Sequence, residues 1–275
     1  MAVRQRADQL LFEQGLTESR EQAARLIMAG KVVMAPAVGE DAPHSQNASG
    51  PAPVAKPGHF YPGGTRFVLL ENEPYVSRGA YKLLTLLDAL RLDVRGFVCL
   101  DAGASTGGFT DCLLQRDAAR VYAVDVGRNQ LHEKLRRDAR VVSLEGVNLR
   151  CASPDLIPEP VDMVTVDLSF ISLTLVLPSC MFWLKDGGRM AVLIKPQFEL
   201  GPGETVRGVV RDEAARRRAV EKIVTFCTTA LALVCDGVLP AAVKGAKGNQ
   251  EYMALFTRER RLSDRKFALH AASAR

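Results

Sequence analysis

From about residue 71 onward, short apolar runs alternate with longer segments whose apolar residues recur at helical spacing. This alternation predicts an α/β fold with a mostly parallel sheet, covered on both faces and built with right-handed crossovers. The connection at 241–250 has no helical pattern, so the last two strands are predicted to be antiparallel. The predicted strands begin at 98 and span 120–125, 140–144, 161–167, 189–195, 234–240 and 251–258, and the longest predicted helix spans 213–233.

The segment before residue 71 has a different pattern. Two short helices are predicted within 6–31, the second with the capping-box pair Ser19 and Gln22, and a strand follows the turn at Gly30. Prolines and small polar residues dominate 35–64, which predicts a mobile insertion or linker. A strand at 66–70 is expected to close this small module, and the basic tail at 261–275 is expected to fray.

The composition is typical of a globular protein, since 47% of the 275 residues are hydrophobic and 24% are charged. The length suits two domains, and the net charge of +5 fits either a polyanionic partner or plain solubility. The six cysteines form no C-x-x-C pair, so buried free thiols are expected rather than disulfides or a zinc site. With no signal-peptide core at the amino terminus and no apolar run long enough to cross a bilayer, a cytoplasmic protein is expected.

A glycine-rich stretch at 98–114 carries the first sign of chemistry. An apolar run leads into it, a turn rich in glycine follows Asp101, and an apolar-periodic segment leaves it, which predicts strand, tight loop and helix. Such a loop lets the backbone approach a nucleotide-type ligand closely. The spacing is neither that of a Walker loop nor that of the dinucleotide fingerprint, so the loop alone leaves the cofactor open.

Five charged residues are predicted to meet at one edge of the sheet. Asp101, Asp125, Asp167 and Lys195 end apolar parallel strands, and Glu251 begins the antiparallel one. Ligands of open α/β sheets bind at this edge. An acid at the position of Asp125 is suited to ribose hydroxyls, although a simple turn residue is the alternative.

Lys195 ends an otherwise apolar run, and partial desolvation there favours a neutral amine that can act as a general base. Lys82 would be a second cation that favours the neutral form further, with Asp167 and Glu251 orienting the two amines. A structural ion-pair network at the sheet edge is the alternative. Arg20, Arg25 and Lys31 leave several cations near one short helix, for which composition alone favours a solvated face.

With these residues assembled, the chain resembles the TlyA or hemolysin A family of methyltransferases related to the FtsJ group. Residues 6–11 and 19–32 look like an S4 RNA-binding domain. Six further ordered motifs carry the resemblance: Tyr75-Val-Ser-Arg-Gly-Ala-Tyr-Lys-Leu, Asp101-Ala-Gly-Ala-Ser-Thr-Gly-Gly-Phe-Thr-Asp, Val124-Asp-Val-Gly, Val166-Asp-Leu-Ser-Phe-Ile-Ser, Ile194-Lys-Pro-Gln-Phe-Glu and Gly245-Ala-Lys-Gly-Asn-Gln-Glu. The resemblance implies a small α+β S4-like domain at 1–70, a Rossmann-like class I methyltransferase domain at 71–260 and a basic tail at 261–275.

The resemblance also implies S-adenosylmethionine as cofactor and the ribose 2′-hydroxyl of a cytidine in ribosomal RNA as acceptor. It implies a catalytic tetrad of Lys82, Asp167, Lys195 and Glu251, with Lys195 as the base and no metal, because the sulfonium leaving group is already activated. The cofactor-binding residues that it implies are Asp101, Gly103, Ser105, Gly107, Gly108, Phe109, Asp125, Asn148 and Asp167. The RNA-binding residues are Arg6, Arg20, Arg25, Lys31 and Arg78.

Two departures from the family pattern are visible. Residues 35–57 replace an expected compact hairpin, and Ala80 stands where a second glycine is usual. The short segment before Arg6 resembles members that act on large-subunit RNA only. Three alternatives stay open: another RNA or a protein as the acceptor, a pore-forming hemolysin, and a ribosome assembly factor with an inactive methyltransferase domain.

Overall fold

The computed structural model describes residues 4–28, 31–35, 54, 56–69, 74–201 and 203–259. The chain divides into two compact units, 1–74 and 75–275, which we call the N-terminal unit and the C-terminal unit. The predicted turn at Gly30 and the predicted tail at 261–275 lie outside the described residues. No described helix has both the length and the apolar character needed to cross a membrane.

The N-terminal unit combines two helices with two pairs of short strands. The helices are α1 (Ala7–Glu13) and α2 (Arg20–Met28). The strands β1 (Arg4–Arg6) and β3 (Phe60–Pro62) pair antiparallel, and so do β2 (Val32–Met34) and β4 (Phe67–Leu69). Its core includes Ala7, Leu10, Leu11, Ala23, Ile27 and Phe67.

The expectation that much of 35–64 is a mobile insertion or linker is wrong for the described residues 54 and 56–64. Phe60–Pro62 forms β3, and Val54 is 3% exposed with its amide donating to the carbonyl of Val32. Residues 36–53 and 55 lie outside the described part of the chain. The capping box is modified: Ser19 Oγ accepts from the amide of Gln22, but the Gln22 side chain accepts from the amide of Glu18.

The C-terminal unit contains a seven-stranded sheet in the order β10-β11-β9-β8-β5-β6-β7. The strands are β5 (Val98–Ala102), β6 (Arg120–Asp125), β7 (Val141–Glu145), β8 (Val161–Val166), β9 (Leu184–Ile194), β10 (Leu233–Pro240) and β11 (Tyr252–Arg258). Strands β5 to β9 pair parallel, and β11 runs antiparallel between β9 and β10. The predicted Rossmann-like sheet with an antiparallel last strand is therefore confirmed.

Six α-helices accompany this sheet in the described part of the unit. They are α3 (Ala80–Ala89), α4 (Gly108–Gln115), α5 (Glu133–Arg136), α6 (Leu177–Cys180), α7 (Pro196–Glu199) and α8 (Glu213–Thr229). Helix α8 is capped by the Asp212 carboxylate and ends before the predicted residue 233, because Ala232 has a φ of 51° and the chain turns there into β10.

The apolar core lies on both faces of the sheet. Helices α3 and α4 contribute Leu83 and Leu113 to one cluster, and α6 and α8 contribute Leu177 and Ile223 to the other. All six cysteines are free thiols, as predicted, and four of them are buried. Burial raises the pKa of the thiols at 112, 180 and 227 to about 12, so these groups are structural rather than reactive.

Candidate active site

The glycine-rich loop joins β5 to α4, and other parts of the protein pack closely against its glycines. Gly103 has a φ of 88°, and a Cβ there would lie 2.4 Å from the carbonyl oxygen of Asp167. Gly107 has a φ of 94°, and a Cβ there would lie 2.2 Å from Cδ1 of Leu135. The loop conformation therefore depends on glycine at both positions, because a side chain would meet neighbouring strands and helices.

Asp101, the acid at the start of this loop, is fully buried. Its Oδ2 accepts hydrogen bonds from the amide and hydroxyl of Thr110 at 2.9 and 2.7 Å, and its Oδ1 accepts from the hydroxyl of Thr165 at 3.1 Å. Burial raises the pKa of the Asp101 carboxyl to about 6, against the lowering effect of these hydrogen bonds. Through these hydrogen bonds Asp101 connects Thr110 near the start of α4 with Thr165 of β8.

Asp125 performs a similar task at the end of β6. Its Oδ2 accepts from the amide of Ser105 at 2.8 Å, and its Oδ1 accepts from the amide of Gly127 at 2.7 Å. The carboxylate is only half-buried, so it ties the loop after β5 to the loop after β6 while still facing solvent. This is the position that the sequence predicts for a ribose-binding acid.

Two adjoining cavities open at the carboxyl edge of the sheet. The larger has a volume of about 460 Å³ and the smaller about 190 Å³. They share the lining residues Gly103, Ser105, Asp167 and Ser169. Of the nine predicted cofactor-binding residues, only Gly107 lines neither cavity.

The two cavities differ in their walls. The larger combines apolar side chains with a few polar groups, and its lining includes Val124, Asp125, Gln130, Asn148, Leu168 and Val176. The smaller is lined by Asp101, Gly108 and Phe109 of the glycine-rich loop and its flanks, by Ser77 and Gly79, and by Lys195. A ligand with an apolar, hydroxyl-bearing body and a polar end fits this pair of spaces.

Lys195 lies in the smaller cavity and is 8% exposed. Its Nζ is 2.6 Å from Oδ1 of Asp167 and donates a hydrogen bond to Ser169 Oγ at 2.8 Å. Both partners lie just beyond the end of β8, the strand that pairs parallel with β9. The amine is therefore held beside two residues, Asp167 and Ser169, that line both cavities.

Lys82 and Glu251 form the second pair of the predicted tetrad. Lys82 Nζ donates to Glu251 Oε2 at 2.6 Å, and both residues are buried. In the ladder of β11 and β9, Tyr252 lies opposite Ile194, so the next residues along this register are Glu251 and Lys195. The structure thus brings all four residues to one edge as two ion pairs, and Lys82 and Glu251 line neither of the two cavities.

Sequence reasoning missed three residues near this site. Glu199 is 5% exposed, and its carboxylate accepts from Ser172 Oγ at 2.6 Å and from the amide of Leu173 at 2.8 Å. Lys222 Nζ of α8 lies 3.4 Å from the same carboxylate. Glu199 therefore links the helix that follows Lys195 to the cavity wall at 168–173. Glu199 ends the sequence motif that contains Lys195, and this position was the one sequence feature that could have pointed to it.

Ser169 and Phe170 are the other two. Ser169 bonds Lys195, as described, and both residues follow Asp167 in a motif already singled out by the resemblance. Phe170 is 89% exposed, has a φ of 65° and lines the larger cavity. Its ring centroid is 5.0 Å from that of Phe198. An exposed aromatic ring on a left-handed backbone is unusual, and this one borders the cavity.

The predicted RNA-binding cations have different surroundings. In the N-terminal unit, Arg6 forms a two-point ion pair with Asp8 at 3.0 and 2.7 Å, and Arg20 lies 3.7 Å from the same carboxylate. The hydrogen bonds from Arg6 lower the pKa of the Asp8 carboxyl. Arg25 and Lys31 have no acidic partner among the residues that the structure describes.

Arg78 belongs to the C-terminal unit. It is exposed and lies between Ser77 and Gly79, which both line the smaller cavity. Its guanidinium forms no ion pair with any acidic residue in the described part of the chain. Its place next to this cavity suits contact with an anionic group of an acceptor.

Comparison with known proteins gives a consistent result. The FtsJ-like methyltransferase family matches residues 75–258. The chain is 42% identical over 255 residues to a Mycobacterium tuberculosis protein named 16S/23S rRNA (cytidine-2′-O)-methyltransferase TlyA, covering 92% of this chain and 89% of that protein. It is 37% identical to Hemolysin A of Brachyspira hyodysenteriae, covering 91% of this chain and 99% of that protein. Among solved structures, a putative hemolysin from Streptococcus thermophilus matches with a TM-score of 0.69 and 39% identity, covering 94% of this chain and 90% of that one.

Proposed function

The chain belongs to the FtsJ-like methyltransferase family, and on that premise we propose that it transfers a methyl group from S-adenosylmethionine to the ribose 2′-hydroxyl of a cytidine in ribosomal RNA. Large-subunit RNA in the cytoplasm is the proposed substrate. The relatives named as rRNA (cytidine-2′-O)-methyltransferases support the acceptor class. The observation that carries the proposal is the position of Lys195, a buried residue that lines the smaller cavity and whose amine contacts Asp167 and Ser169, two residues that line both cavities.

The residues present fit S-adenosylmethionine. The larger cavity offers apolar walls for an adenine ring, with Asp125 and Asn148 as partners for the ribose hydroxyls. The smaller cavity offers the glycine-rich loop and Phe109 to the methionine end. When bound, this cofactor supplies a methyl group that is already activated on a sulfonium. Gly107 contributes by shaping the loop, since the space beside it is filled by Leu135.

In the proposed mechanism, Lys195 Nζ removes the proton from the ribose 2′-hydroxyl. Asp167 and Ser169 hold the amine in place from two directions, at 2.6 and 2.8 Å. Positioning the hydroxyl oxygen in line with the methyl group supplies much of the rate enhancement, since it removes the entropic cost of alignment.

The second ion pair has a supporting part in this mechanism. Lys82 Nζ lies 2.6 Å from Glu251 Oε2, so the carboxylate neutralises its charge. Lys82 is therefore not an isolated cation at the edge of the sheet. We assign to this pair the task of fixing the end of β11 next to Lys195, as the strand register supports.

Acceptor recognition is proposed to use both units. The exposed Phe170 ring at the rim of the larger cavity is suited to stacking on an unpaired base, which is how many proteins recognise single-stranded RNA. Arg78 beside the smaller cavity is suited to a phosphate. The N-terminal unit, with Arg25 and Lys31, is proposed to be an S4-like RNA-binding domain.

The experiment that tests this function is mapping of ribose methylation on ribosomal RNA from cells with and without the gene. We expect one or a few cytidine 2′-O-methyl groups to disappear from large-subunit RNA without the gene, and to return with the wild-type gene but not with Lys195→Ala. Unchanged methylation in the deletion strain would contradict the proposal. Sites in small-subunit RNA would correct the substrate but keep the reaction.

A further inference from the structure

Two loops at the carboxyl edge of the sheet carry a group of exposed cations. The first loop spans 200–212 between α7 and α8, and the second spans 241–251 between β10 and β11. Their exposed cations are Arg207, Arg211, Lys244 and Lys247. We call these four residues the basic rim.

No acidic partner is recorded for any residue of the basic rim within the chain that the structure describes. The acids nearby in sequence are already engaged. Glu204 pairs with Arg218, Asp212 caps α8 by accepting from two backbone amides, and Glu213 lies 3.5 Å from Arg217. The charge of the rim is therefore not neutralised by its own loops.

The two loops are joined by direct hydrogen bonds. Asn249, which is 3% exposed, accepts from the amide of Val210 at 3.0 Å and donates to the carbonyl of Gly208 at 2.8 Å. Lys247 Nζ donates to the carbonyl of Arg207 at 3.4 Å. The cations thus lie on one cross-linked surface, which reduces the entropic cost of binding an extended partner.

This surface borders the proposed catalytic edge. The second loop contains Gly245, whose missing side chain leaves room for the carboxylate of Glu251. The first loop leaves α7, which begins directly after Lys195. A chain of nucleotides whose ribose reaches Lys195 therefore passes close to both loops.

We propose that the basic rim binds backbone phosphates of the RNA strand next to the acceptor nucleotide, an inference that rests on the proposed function. Four cations distributed over two loops match the repeated charges of a nucleic acid strand, whereas a single small anion needs one convergent pocket. Contacts to phosphate carry no sequence information, so the rim supplies affinity and register while the cavity residues select the nucleotide.

The test is a salt titration of RNA binding by the full chain, with a large-subunit ribosomal RNA transcript as the probe. The test variant is Arg207→Gln/Arg211→Gln/Lys244→Gln/Lys247→Gln. Each lost phosphate contact lowers the magnitude of the slope of log affinity against log salt by about 0.7 to 0.9, so the loss of four contacts should lower it by about 2.8 to 3.6, with at least about tenfold weaker binding. Binding of S-adenosylmethionine should stay unchanged.

Two controls keep this result specific. Arg91→Gln/Arg95→Gln removes exposed cations that precede β5, at the opposite edge of the sheet, and should leave the slope unchanged. A swap that preserves charge, with lysine for each arginine and arginine for each lysine of the rim, should retain binding. If the glutamine variant and the wild type have the same slope, the proposed role of the basic rim is wrong, even if the wild type methylates RNA. A reduced slope in the glutamine variant, together with a wild type that methylates no RNA, would instead overturn the proposed function.

Discussion

A Cβ atom at Gly245 would lie 1.8 Å from Oε1 of Glu251, because the backbone passes directly over this buried carboxylate. Glu251 in turn accepts a hydrogen bond from Lys82 Nζ at 2.6 Å. The glycine therefore belongs to the structure of the site as much as the charged residues do, although it has no functional group.

Gly245→Ala is expected to displace the Glu251 carboxylate and to break its bond with Lys82. We expect methyl transfer to fall by at least about tenfold, as misplacement near a reacting centre typically does, while S-adenosylmethionine binding persists. Single-turnover transfer and calorimetric cofactor binding measure the two effects. Gly201→Ala is the matched control, because a Cβ there meets its nearest atom at 3.9 Å. Equal activity in the two variants would contradict the packing argument.

Glu199→Ala is expected to loosen the cavity wall at 168–173. The change leaves the buried Leu173 amide without its acceptor, and an unsatisfied buried group costs about 1 to 3 kcal/mol. The Ser172 hydroxyl and the Lys222 amine each lose one partner but keep Thr174 Oγ1 and the Glu199 carbonyl. We expect a lower free energy of unfolding and about tenfold weaker cofactor binding. Glu204→Ala, which removes a surface ion pair with Arg218 and a long hydrogen bond from the exposed Gly201 amide, should change the free energy of unfolding by less than about 1 kcal/mol. Cofactor binding like that of the wild type in Glu199→Ala would refute this positioning role.

Asp101 gives a prediction for pH dependence. Burial raises its pKa from the ordinary value of 3.8 to about 6, so the folded state holds the proton more tightly than the unfolded chain does. The contribution of this group to the free energy of unfolding therefore falls as the pH rises from about 4 to about 6 and is constant above. Asn does not titrate and can still accept from Thr110.

The measurement is urea unfolding of the wild type and Asp101→Asn between about pH 4 and pH 7. Relative to the wild type, the variant should gain up to about 3 kcal/mol over this range. Asp138→Asn is the control: hydrogen bonds from Arg140 lower the pKa of that carboxyl below 3.8, so it titrates below this range and its relative stability should stay nearly constant from about pH 4 to pH 7. A difference for Asp101→Asn that is independent of pH would contradict the account.

Phe170→Ala is expected to impair use of the RNA more than binding of the cofactor, because the ring lines the larger cavity at its rim and is 89% exposed. Loss of one stacking partner costs about 1 to 3 kcal/mol per base, so the KM for RNA should rise by about tenfold or more. Phe182→Ala, which removes another exposed phenylalanine, precedes β9 at the far edge of the sheet and is the control. Similar kinetics for the two variants would remove Phe170 from acceptor recognition.

Local patterns predicted the positions of the strand ends, and with them the shared edge of Asp125, Asp167 and Lys195. The edge could be predicted because the carboxyl ends of parallel strands lie on the same side of a sheet, independently of how the side chains pack. The direct pairing of Lys82 with Glu251, 169 positions apart, has no local signal. Residue patterns indicated that Asp167 and Glu251 balance the two amines, but not which acid pairs with which amine. Pairing of β1 with β3 was missed because strands of three residues, one ending in a proline, carry too little periodicity to stand out.

The supporting contacts were also beyond the reach of sequence patterns. The bonds of Glu199 to Ser172 and Leu173 depend on how α7 packs against the loop after β8, which is a tertiary property. Asp101 shows a related limit. Its position at the end of β5 was predicted, but its bonds to Thr110 and Thr165 are seen only once the strands are assembled.

The central claim is that Lys195 is the base for ribose methylation, and single-turnover methyl transfer by Lys195→Ala tests it most directly. The substrate is ribosomal RNA from the deletion strain, and cofactor affinity is measured on the same protein. Loss of a general base lowers such a rate by about 10² to 10⁴, so we expect a loss in this range with cofactor affinity kept within about threefold. Transfer to the ribose at a rate within about tenfold of the wild type would contradict the account.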